Sequence, residues 1–152
     1  TMGADLDGIN QQSPSFFVWA VRDAFTAPLQ RVQIIKGFVD LNGNLQEQVF
    51  DVACSDGGMP DAETYRCPDN NAKVDITSCA FSQDVGAAEL KTFWTDPTFE
   101  VTQRAFYYVR ALENPTCRWS TWDALIINVE PRSDITKTIQ ERVWSSPIHY
   151  IP

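Results

Sequence analysis

Histidine is nearly absent: the chain of 152 residues has one, His149. With no C-x-x-C pair among its four cysteines, a structural zinc site is a weak reading. Positive charge is also scarce. Twelve Lys and Arg, scattered along the chain, stand against 20 Asp and Glu, giving a formal charge of -8. Phosphate binding needs clustered cations, so no nucleic-acid partner is expected. No apolar run approaches the roughly 18 residues of a membrane-crossing helix, so no membrane span is expected either. A G-x-S-x-G elbow and a phosphate-cradling glycine loop are both missing, and Gly57-Gly58 before Met59-Pro60 is turn chemistry. The opening TMGADLDGIN lacks the basic and apolar regions of a signal peptide. Residues 1–14 read instead as a linker entering from a missing N-terminal part, with one β-sandwich domain over 15–152.

What is present is a series of short runs rich in Val, Ile, Phe, Tyr and Trp, each closed by turn residues. They are SFFVWAVRD (15–23), LQRVQIIKGF (29–38), QEQVFDVAC (46–54), AAELKTFWT (87–95), AFYYVRAL (105–112) and ERVWSSPIHYI (141–151). Val32 and Ile34 alternate with Arg31 and Gln33, and Phe50 and Val52 with Val49 and Asp51, which is the period of half-buried strands. Asn42-Gly43 predicts a hairpin between the second and third runs. Helix signals are few. Asp96 followed by Pro97 predicts a single helical turn. That turn precedes AFYYVR as a corner precedes the penultimate strand of an immunoglobulin-like or fibronectin-III-like sandwich, where a tyrosine hydroxyl ties back to the backbone. Tyr107 or Tyr108 is the candidate. The pattern predicts an all-β antiparallel sandwich of this type, with two long loop insertions and little helix.

Those insertions, 55–78 and 113–140, are longer than compact connections usually are. All four cysteines lie in or beside them. Local closure favours Cys54 with Cys67, leaving Cys79 with Cys117, among three connectivities; such disulfides imply a periplasmic or extracellular setting. Four free, buried cysteines in a cytosolic protein are the alternative. The first insertion carries Asp56, Asp61, Asp69, Asn70, Asn71 and Asp75, oxygen donors that suit calcium but match no EF-hand spacing. Turn-making by Asx side chains is the favoured account. In the second insertion, Trp119 and Trp122 beside Arg118 form either a stacking surface for a glycan or a cluster packed on the Cys117 staple. The second is the expectation, with Phe106 or Tyr107 facing the core alongside Val109. No catalytic residue, metal ligand or cofactor is assigned; His149 falls in a terminal strand.

PLQRVQIIKGF, AAELKTFWTDPTFE, AFYYVRALENPTCRWSTWDA and TIQERVWSSPIHY resemble the C-terminal region of the uncharacterised bacterial family "domain of unknown function 3604". The N-terminal part of that family is similar to PHP-type metal-dependent phosphoesterases. The resemblance implies a β-sandwich appended to a metal-bearing N-terminal catalytic domain of the same polypeptide. It carries no metal ligand onto this sequence, because the PHP site needs several histidines. The expected role is that of a non-catalytic accessory domain; the alternative is a module binding carbohydrate or an envelope polymer.

Overall fold

The computed structural model describes residues 2–6 and 12–152. In chain order the strands are β1 (Asp5–Leu6), β2 (Ser15–Val21), β3 (Leu29–Val39), β4 (Leu45–Cys54), β5 (Val74–Asp75), β6 (Ala80–Phe81), β7 (Glu89–Thr95), β8 (Ala105–Glu113) and β9 (Thr116–Cys117). The helix α1 (Trp119–Ile126) follows, and then β10 (Thr138–Ile139), β11 (Arg142–Trp144) and β12 (Ile148–Tyr150). The chain is therefore mainly β, as its alternation predicts. Asp5 and Leu6, inside the segment read as linker, pair with β12; residues 7–11 of that segment lie outside the described residues.

One six-stranded sheet dominates, in the order β1-β12-β8-β3-β4, with β11 also on β8. The eleven-residue β3 is central because it pairs antiparallel on both sides, with β4 and with β8. Asp40 closes the β3–β4 hairpin by accepting the Asn42 and Asn44 amides, and Gly43 takes φ 83°, a conformation glycine adopts at no steric cost. Over one face of this sheet lies a two-stranded ribbon, β2–β7. Between them sits the core: Val18 and Leu90 from the ribbon meet Val32, Ile34, Phe50, Val52, Tyr107 and Ala111 from the sheet. The period of two that puts Val32 and Ile34 inward sends Arg31, Gln33 and Ile35 to the opposite face.

Two expectations change in detail. The run 141–151 is two strands rather than one: β11 pairs Trp144 with Arg110, β12 pairs Ile148 with Tyr107, and Ser145–Pro147 holds one residue too many for a continuous register. Ser145 keeps the break closed, since its Oγ accepts the Val109 amide at 2.9 Å and its own amide donates to the Val109 carbonyl at 3.0 Å. The second insertion is also not simply a loop, for it contains α1. That helix has no side-chain cap and no acidic residue in its first turn, so it lacks the usual sequence marks of a start.

The segment before β8 is built from buried polar groups. Pro97 and Thr98 form a turn rather than a helical one, with Asp96 Oδ1 accepting the Thr98 amide at 2.8 Å. The other carboxylate oxygen accepts the Tyr107 hydroxyl at 2.8 Å and pairs with Lys36 Nζ at 2.7 Å. Lys36 and Asp96 are 1% and 0% exposed at their side chains. Burial, reinforced by the bond to Asp96, pushes the Tyr107 hydroxyl well above its ordinary pKa. Of the two candidates Tyr107 is the one that turns inward, and its hydroxyl ties to a carboxylate rather than to backbone. The bond to backbone is made by Tyr150, whose hydroxyl donates to the Val101 carbonyl at 2.7 Å.

Candidate functional site

Both disulfides form as local closure predicts, Cys54–Cys67 and Cys79–Cys117. The first holds residues 65–67 along β4, where the Asp51 amide donates to the Tyr65 carbonyl at 2.9 Å. The second ties β9 to the end of the first insertion. In that insertion Asp61, Asp69 and Asp75 accept amides two residues ahead, from Glu63, Asn71 and Thr77, which is Asx-turn geometry. The hydroxyls of Ser78 and Thr77, with the Thr77 amide, lower the Asp75 pKa to about 2. Among the described residues no group of three or more His, Cys, Asp or Glu is placed to hold a metal ion. Asp61, Asp69 and Asp75 thus act as turn formers, whereas Asp56 accepts the distant Gly86 amide at 2.9 Å.

Trp119 and Trp122 are not buried. They are 73% and 43% exposed. The reason is helical periodicity: positions 119, 122 and 126 share one face of α1, and the opposite face takes Thr121 and Ala124 inward. The Thr121 hydroxyl fixes that face by donating to the Lys137 carbonyl at 2.8 Å. Arg118 folds back on Thr136, donating to its carbonyl and hydroxyl at 3.1 Å each, and so is engaged beside the tryptophans rather than spread with them. Ile126 extends the exposed stripe. Phe106 is 39% exposed on the outer side of the main sheet, and Tyr107 is the residue that enters the core.

A second cluster escaped the sequence because its members are far apart in the chain. On the outer face of the main sheet Arg142 stands across from Leu112 and Leu112 from Arg31; in the next outward row Trp144, Arg110, Gln33 and Asp51 line up. Asp51 is fully buried and accepts Gln33 Nε2 at 2.6 Å and the Cys67 amide at 2.8 Å. Arg66 Nη1 and Arg31 Nε lie 3.5 and 3.9 Å from its oxygens, and Arg110 Nε donates to Gln33 Oε1 at 2.8 Å. Two of the chain's eight arginines lie against this carboxylate, a third reaches it through Gln33, and a fourth, Arg142, stands in the neighbouring row of the same face. The basic residues look scattered only along the sequence.

The family described as "Protein of unknown function (DUF3604)" matches residues 1–152. The chain belongs to this family. No curated protein matches it. No solved structure matches it either. Membership covers every element above, from β1 to β12, so the sheet, the ribbon and both stapled insertions all fall within the region the family defines.

Proposed function

We propose that this chain is a non-catalytic accessory β-domain of a larger protein of the family, docked on a preceding PHP-like metal-dependent hydrolase domain. The observation that carries the reading is the outward face of the β2–β7 ribbon. Phe17, Trp19, Val21 and Phe93 are 55%, 60%, 66% and 80% exposed there, beside an apolar groove of about 890 Å³ between β2 and β11. Contiguous apolar surface of this kind commonly marks a docking site. The order β12-β8-β3-β4 with a β2–β7 ribbon corresponds to the G-F-C-C′ sheet and B-E pair of an immunoglobulin-type sandwich, and supports that assignment of the fold. Two disulfides favour a periplasmic or extracellular site of action. The test is to express this chain joined to the polypeptide that precedes it, cut the junction by limited proteolysis and run gel filtration. The two parts are expected to co-elute, and Phe17→Asp with Trp19→Asp to separate them. Separation of the unaltered parts overturns the reading.

One observation favours a second reading, capture of a glycan or envelope polymer by α1. Trp119 and Trp122 are open to solvent, as such a platform requires. Affinity electrophoresis against neutral and acidic polysaccharides decides it: retardation abolished by Trp119→Ala and Trp122→Ala supports this reading, and none by any polymer removes it.

A further inference from the structure

The outer face of the main sheet has more positive charge than its own structure uses. Arg31, Arg66 and Arg110 surround Asp51, the last through Gln33, so three guanidiniums answer one carboxylate, and Arg142 adds a fourth without adding an acid. Glu47 shares this face only two residue rows away, beyond the row of Tyr108, Ile35 and Val49. Among the described residues, Arg31 Nε is the one buried side-chain nitrogen or oxygen without a hydrogen-bond partner. A buried donor left unpaired is costly, and a charged one more so. That nitrogen lies 3.9 Å from Asp51 Oδ2, and the Arg31 side chain is 26% exposed, so an oxyanion would meet the exposed part of the guanidinium.

Aromatic rings border the same arginines. Trp144, 55% exposed, stands directly across from Arg110, and Tyr108 lies two residues before Arg110 on the same outward face of β8. A guanidinium fork binds carboxylate or sulfate bidentately, whereas an indole or phenol ring presents an apolar face and a polar edge. We propose that this face binds a saccharide bearing an oxyanion, its charged group held by Arg31, Arg110 and Arg142 and its ring against Trp144 or Tyr108. The site is distinct from the tryptophans of α1, and its Tyr108, Arg142 and Trp144 also line the groove beside the ribbon.

Isothermal titration of the intact chain with trigalacturonate, a sulfated disaccharide, inorganic sulfate and neutral maltotriose tests it. Saturable binding of one or both acidic saccharides is expected, and which of the two binds tells uronate from sulfate. Maltotriose should be silent, and added salt should weaken the interaction. Arg142→Gln and Trp144→Ala, each with an unchanged circular dichroism spectrum and melt, should each weaken binding by about tenfold or more. Arg142→Lys should fall between, while Arg132→Gln, whose guanidinium pairs with Asp134 elsewhere, should bind as the parent does. The proposal is overturned if no acidic saccharide binds, if folded Arg142→Gln and Trp144→Ala bind undiminished, or if inorganic sulfate alone accounts for the affinity. Binding of a single-stranded oligonucleotide in place of the saccharides would also overturn it.

Discussion

Asp96 and Asp51 are both fully buried carboxylates, one on each side of the central sheet, yet their surroundings are opposite in kind. Asp96 sits on the inner side of the main sheet with one cation, Lys36, and every other bond its carboxylate makes is to a neighbour fixed by the fold. That arrangement is closed: one charge against one charge, with no polar atom left to reach outward. Asp51 lies on the outer face under arginines whose side chains are 26% and 50% exposed, with cations in excess. Burial of a carboxylate thus serves two ends. On the inner side it locks a corner, and on the outer side it anchors donors whose remaining valence points to solvent.

Breaking the closed pair should have the largest effect. Lys36→Met leaves Asp96 in the core without its counter-charge and is expected to cost about 3–5 kcal/mol, read as a fall in urea midpoint, with acidic-saccharide binding untouched. Removing the Cys54–Cys67 bridge as a double serine variant comes next, at about 3 kcal/mol for a loop of this size. It also loosens the Cys67 amide from Asp51 and so links the staple to the outer cluster. Asp51→Asn should cost about 2 kcal/mol, less than the inner pair because its partners keep access to water. It should tighten binding of an acidic saccharide by adding to the surplus charge; weaker binding would show that Asp51 orients the arginines rather than restraining them. The smallest effect is expected at Trp119→Ala, within about 0.5 kcal/mol by thermal melt, because the ring is mostly solvated. A loss near 3 kcal/mol would instead restore a structural role to that tryptophan.

How far each of these regions was legible follows from the range of the interactions that make it. Strand alternation at 29–38 and 46–54, the Asn42-Gly43 turn and the short Cys54–Cys67 closure are local, and the residues alone predict them. A buried, tied tyrosine at 107 or 108 was legible, but which of the two and its partner were not: Asp96 carries the same signature whether it caps a turn or receives a hydroxyl, and here it does both. The helix at 119–126 was missed because Arg118 supplies no capping side chain, and without a helix the tryptophans had no face to be assigned to. The arginine cluster was the least accessible. It depends on the joint register of β3, β8 and β11, and Arg31 and Arg142 are separated by most of the chain.

The pairing of β1 with β12 has a mechanical consequence. The two strands run side by side in the same direction, Asp5 opposite His149 and Leu6 opposite Tyr150. Tension applied ahead of Asp5 and beyond Tyr150 drags them past one another lengthwise and loads their bonds together rather than peeling them in turn. The Gly3 amide on the Pro147 carbonyl and the His149 amide on the Ala4 carbonyl, both at 3.1 Å, share that load. Behind them the Tyr150 hydroxyl, pinned to Val101, opposes the same slide from within the core. The pairing is a shear clasp, and a pull along the chain must first break it before it can reach the ladder between β12 and β8.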